Sequence, residues 1–115
     1  MPTPDDDSTF ATIACSPDAA RAVPRADVVT ALCAGHFPGD PIVPGAYLLG
    51  LMAELAERLA GGAVREVARC LLIAPVRPAQ AIVLTARRLP DVVEVTVDAD
   101  GRTAARARLV VERGT

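Results

Sequence analysis

The segment GHFPGDPIVPG, residues 35–45, holds three glycines and three prolines in eleven positions. The stretch that follows it, AYLLGLMAELAERLA at residues 46–60, carries no charge before Glu54. Proline fixes φ and glycine reaches backbone geometries closed to other residues, so the first segment reads as a rigid, specifically shaped loop. Pro44 suits the first turn of a helix, residues 46–60 are helical in composition, and Gly61-Gly62 ends the run. The first half of this helix is apolar all round, which predicts protein on every side of it.

From residue 64 onward the pattern changes from helical to β. Residues 64–74 form a long strand candidate ending at Pro75, and residues 80–89 form a second, broken by Pro90-Asp91. Residues 92–98 (VVEVTVD) alternate, close in a turn at 98–101, and lead into residues 103–112, where Arg106 and Arg108 share one face. Upstream, residues 10–16 alternate loosely and read as a first strand. Residues 16–26, with two prolines and two arginines, read as a connection. Asp27 can cap a short helix through residues 28–34, although β-branched Val28, Val29 and Thr30 leave a strand open. The outline is one central helix followed by an antiparallel meander of four strands. A sheet wrapped round one long apolar helix buries such a helix naturally, which makes the class α+β. Residues 1–8 are polar and acidic and are expected to be a flexible terminus, leaving residues 9–115 as a single domain.

Composition excludes several functions. Net charge is −2 and only Phe10, Phe37 and Tyr47 are aromatic, so no basic surface interleaved with stacking rings exists for nucleic acid. Hydrophobic residues make up 51% of the chain, and mean hydropathy is +0.33. Yet the longest apolar run, residues 46–53, is too short to span a bilayer. All twelve basic residues are arginine. This fits a GC-rich coding bias; it also fits recognition of phosphate or carboxylate by guanidinium forks. Cys15, Cys33 and Cys70 match no CxxC or metal spacing, and with a single histidine in the chain a His/Cys zinc site is not expected, nor is any cofactor. With no signal peptide visible, the expected location is cytoplasmic, with reduced thiols.

Residues 36–45, HFPGDPIVPG, resemble the HFPG(x)PxxPG signature of the 3-hydroxyacyl-ACP dehydratases of bacterial fatty-acid synthesis. The Gly39-Asp40-Pro41 variant resembles the branch that also isomerises double bonds. The resemblance implies a hot-dog fold: a curved antiparallel sheet around the long helix, dimeric, with the two sheets joined and acyl sites at the interface. It implies removal of water from a 3-hydroxyacyl thioester in fatty-acid or polyketide-like synthesis, on acyl carrier protein or CoA. His36 matches the base that takes the α-proton, and the backbone N–H of Gly45 matches the donor that polarises the thioester carbonyl. A helix N-terminus stabilises the enolate charge developing there, and histidine moves protons near neutral pH. Phe37, Pro38, Gly39 and Gly50 match positions against the substrate. Without the resemblance, a lone histidine among Gly and Phe reads equally well as a loop residue hydrogen-bonded to backbone.

The chain departs from the family at one decisive position. The family's catalytic Glu or Asp stands fourteen residues after the histidine, and 36 + 14 = 50 is Gly50. The polar residue four positions later is Glu54, on roughly the same helix face but about 6 Å farther along the axis. Glu54 is therefore the candidate acid; its ordinary reading is a solvated or salt-bridged helix residue. Gly50 inside a helix costs about 1 kcal/mol relative to alanine, and a buried glycine commonly lets backbone or ligand approach. Three readings follow: a dehydratase-like enzyme; a non-catalytic acyl-binding homologue, as homodimer or as heterodimer with a related hot-dog subunit; or a hot-dog thioesterase. Cys33, three residues before His36, offers a Cys–His nucleophile for the third, against the usual role of a free cysteine as a small buried hydrophobe.

Overall fold

A computed structural model describes residues 8–36 and 38–112. Its elements run β1 (Phe10–Cys15), β2 (Ala19–Pro24), α1 (Ala26–Cys33), α2 (Gly45–Ala60), β3 (Val64–Leu72), β4 (Ile82–Arg88), β5 (Val93–Ala99) and β6 (Arg102–Val111). The six strands form one antiparallel sheet in the order β1-β2-β4-β5-β6-β3. The expected α+β class with an antiparallel sheet packed on a helix holds. Of the expected flexible terminus, residues 1–7 lie outside the described residues, and the Ser8 carbonyl accepts from Arg25 Nη1 at 3.3 Å.

The helix α2 buries Leu48, Leu51, Met52, Leu55, Ala56 and Leu59, a spacing of three and four that makes one stripe. That stripe meets the inward residues of the sheet, where β5 buries Val93, Val95, Val97 and Ala99 at every second position. Fully burying side chains of this kind stabilises by about 1.5–3 kcal/mol each. The helix ends as its sequence demands: Gly61 adopts φ 75° and donates its N–H to the Glu57 carbonyl at 2.8 Å. The β5–β6 turn is a two-residue loop, Asp100 (φ 52°) and Gly101 (φ 80°), between the paired Ala99 and Arg102. Positive φ at both positions is the requirement of a type I′ hairpin. No helix among the described residues is long and apolar enough to cross a membrane.

Four expectations are corrected. Residues 19–24, read as connection, form β2, because Pro17 precedes the strand and Pro24 ends it while Ala20 and Ala22 turn inward between them. The short helix expected after Asp27 forms as α1, but its N-cap is Arg25 rather than Asp27; its Val29 and Cys33, four apart, are buried. Burial of that pair outweighs the strand preference of Val28–Thr30. The last four strands are not a meander: β3 crosses to pair with β6, while β4 lies between β2 and β5. Finally, α2 is not covered on every side by its own chain. Ala46, Tyr47 and Gly50 are exposed, and with Val67, Leu72 and Ile73 they leave an apolar face beside the edge strand β3.

Candidate functional site

The loop from residue 34 to 44 joins α1 to α2 and carries His36. Gly35 and Gly39 take φ of 76° and 86°, a region that favours glycine, and each lies in a turn. Pro44 is the N-cap of α2, with its carbonyl accepting from Tyr47 and Leu48, each at 3.0 Å. The helix therefore begins at Gly45, one residue before the expected start. The Gly45 and Ala46 amides, at the open end of the helix, meet no acceptor among the described residues.

His36 is exposed, and its backbone N–H donates to the Cys33 carbonyl at 3.0 Å. Its imidazole meets the Tyr47 ring edge-on, with centroids 5.7 Å apart at 79°. The loop thus sets the imidazole beside the first turn of α2. Around Gly45 runs an apolar groove of about 260 Å³, lined by Ile42, Val43, Leu48, Leu72, Ile73 and residues 74–76. A Cβ on Gly45 would stand 2.5 Å from Leu72 Cδ1, so any larger residue there requires the tip of Leu72 to turn away from the helix start. A larger depression of about 730 Å³, lined by Arg65, Arg88, Asp91 and Glu112 among others, sits at Ala60. That is the far end of α2, roughly 24 Å from Gly45. It lies at the opposite end of α2 from the His36–Tyr47 contact, whereas the smaller groove is lined by Gly45 at the helix start, although not by His36 itself.

The remaining sequence candidates fall as follows. Pro38 and Gly39 are exposed on the loop; Phe37 lies outside the described residues. Gly50 is exposed on the open face, and a Cβ built there meets nothing within 4 Å. Within this chain no backbone approaches it, contrary to the close-packing reading. Glu54 is held at the β1 side: Oε1 accepts from Thr9 Oγ1 at 2.7 Å and Oε2 from Arg58 Nη2 at 3.4 Å. Arg58 in turn stacks 5.5 Å from the Phe10 ring. Cys33 is 5% exposed within the core, and burial pushes its thiol pKa up, which removes the thiolate a nucleophile needs. All three cysteines are free.

Three features of the site escape sequence reading. Tyr47 stands against His36, Leu72 lies on Gly45, and Arg77 grips Asp40 through Nε–Oδ1 at 2.9 Å and Nη2–Oδ2 at 3.1 Å. The paired Arg77 guanidinium holds the Asp40 carboxyl below the usual carboxylate range. Tyr47 was findable as one of only three aromatics. Nothing local marks Arg77 as the partner of a residue 37 positions earlier.

Residues 15–107 match the family model described as ApeI-like, ApeI dehydratase. Comparison with curated protein sequences finds no match. Among solved structures, the dehydratase heterocomplex ApeI:P from Xenorhabdus doucetiae matches at TM-score 0.73 and 19% identity, over 85% of this chain and 90% of that one. A putative thioesterase from Novosphingobium aromaticivorans matches at TM-score 0.62 and 15% identity, over 92% of this chain and 42% of the other. A thioesterase complexed with coenzyme A and Zn from Thermus thermophilus matches at TM-score 0.52 and 20% identity, over 85% and 86%. At these identities the structural likeness establishes the hot-dog fold alone.

Proposed function

The chain belongs to the ApeI-like dehydratase family, and from that premise we propose that it acts on 3-hydroxyacyl thioesters carried by acyl carrier protein, eliminating water across Cα–Cβ. The observation that carries this reading is the placement of His36 beside the start of α2, where the Gly45 amide meets no acceptor among the described residues. In the proposed step the unprotonated imidazole takes the α-proton. The electron pair moves into the thioester, and the Gly45 N–H, at the positive end of the helix, stabilises the enolate oxygen. The enolate then expels the β-hydroxyl, which leaves as water on receiving a proton. The imidazolium releases its proton to solvent, so the balance is one 3-hydroxyacyl thioester to one enoyl thioester plus water.

Among the described residues, no carboxyl group of the candidate site is free to give the departing hydroxyl its proton. Position 50 is glycine, both Glu54 oxygens are engaged by Thr9 and Arg58, and Asp40 is held by Arg77. This favours a second reading, in which the chain works as one subunit of a dimer with a related hot-dog protein that supplies the acid. The apolar face formed by Tyr47, Leu72 and Ile73 beside the free edge of β3 supports such a dimer, because an unpaired edge strand flanked by exposed apolar side chains normally finds a partner. The three free thiols support a cytoplasmic location. Hydration of crotonyl-ACP, the reverse reaction, tests both readings. Turnover by the purified chain that His36→Ala abolishes supports the enzyme; turnover only after adding a related subunit supports the heterodimer; crotonyl-ACP hydrolysis instead of hydration refutes both.

A further inference from the structure

Cys33 and Val43 are buried, but every described residue between them is exposed except Ile42, which is half-buried. Burial therefore does not hold the loop that carries His36. Its anchors among the described residues are few: the His36 N–H to the Cys33 carbonyl at 3.0 Å, the Val43 N–H to the Val76 carbonyl at 2.8 Å, the edge contact of His36 with Tyr47, and the two parallel bonds from Arg77 to Asp40.

We propose that Arg77 is a positioning residue, which through Asp40 fixes the His36 loop against the start of α2. The inference rests on the reading of His36 as the reacting base. Arg77 is itself well placed to act as a fixed post. Its N–H donates to Gln80 Oε1 at 2.7 Å, the Gln80 N–H donates to the Arg77 carbonyl at 3.1 Å, and the preceding Val76 is 1% exposed. The guanidinium thus projects from a closed turn anchored in the core. A planar fork meeting a carboxylate through two bonds fixes direction as well as distance, which a lysine cannot reproduce. Releasing it frees a loop whose Gly35 and Gly39 have many alternative conformations. The same turn continues residues 73–76, which line the groove, so the Arg77–Asp40 pair also joins the two walls of the groove's mouth. Both side chains are substantially exposed, so their loss leaves the fold intact and acts locally.

The test uses the full chain as wild type, Arg77→Gln, Asp40→Asn, the double variant, and the exchanged pair Asp40→Arg/Arg77→Asp. Amide hydrogen exchange at His36 and Val43, whose N–H groups donate to the Cys33 and Val76 carbonyls, is expected to speed up roughly two- to fivefold in each single variant, the range set by exposed ion pairs. The double variant should show no further increase, the exchanged pair should recover most of the protection, and core amides of α2 should not change. In crotonyl-ACP hydration, kcat should fall by a similar factor with KM unchanged. About 1 M salt, where the Debye length is about 3 Å, should slow the wild type but not the single variants. Unchanged loop exchange, or effects that add fully in the double variant, would overturn the proposal. A wild type inert in hydration would count against the reading of His36, while the exchange data, which need no substrate, would still decide whether Arg77 holds the loop.

Discussion

Restoring a carboxylate at position 50 is the sharpest perturbation available. A side chain there has room, since a built Cβ meets nothing within 4 Å, and Gly50 lies on the exposed face of α2. Replacing glycine inside a helix gains roughly half a kcal/mol, so Gly50→Glu is expected to fold at least as stably as the wild type. If a partner closes this face, the introduced carboxyl is desolvated and its pKa rises, which keeps it protonated as an acid requires. General acid help is worth about 10²–10⁴-fold, or roughly 3–5 kcal/mol off the barrier. Crotonyl-ACP hydration by Gly50→Glu should therefore exceed that of the wild type by at least a hundredfold. The gain should vanish when His36→Ala is added, and on the dehydration side it should decline as pH rises and the carboxyl ionises. A folded Gly50→Glu variant with an unchanged rate would refute the view that this site lacks only its acid.

Three further outcomes are expected. Light scattering should give twice the chain mass for the wild type and the single-chain mass for Tyr47→Glu/Ile73→Glu, which places charge on the open face; a dimer surviving both changes would move the interface elsewhere. Gly45→Ala should lower the denaturation midpoint by an amount equal to no more than about 0.5 kcal/mol, because the atom it meets is the tip of an exposed leucine that can turn aside. Adding Leu72→Ala should recover most of that loss, because the clash is with Leu72 Cδ1. Asp40 has a folded-state pKa below its unfolded value, chiefly through its hydrogen bonds to Arg77. Its contribution to stability is then present above the ordinary carboxylate range and disappears as pH falls through the folded value. Denaturation of Asp40→Asn and wild type should differ near neutral pH and converge in acid.

Much of the fold could be read along the chain because its signals are local. The Gly/Pro run at residues 35–45, the apolar helix ended by Gly61, the alternation of β5 and the Asp100-Gly101 turn each express a period or backbone preference contained within a few residues. Within the candidate site, His36 and Gly50 are singled out by the resemblance of residues 36–45 to a family signature, not by a period or a backbone preference. The rest depended on which distant residues meet. The sequence marks residues 64–74 as a strand candidate ending at Pro75, but nothing local says that this strand pairs with β6. The alanines of β2 carry too weak a strand preference to stand out between prolines until β4 supplies their hydrogen bonds. Helical spacing points Glu54 along the face of Gly50, but Thr9, 45 residues away, captures its carboxylate. Arg77 reaches Asp40 across 37 residues, and Tyr47 and Gly50, in a stretch apolar enough to be read as core, are left open beside an edge strand. Periodicity determines which side of an element is apolar; only the packed chain determines whether its own residues cover that side.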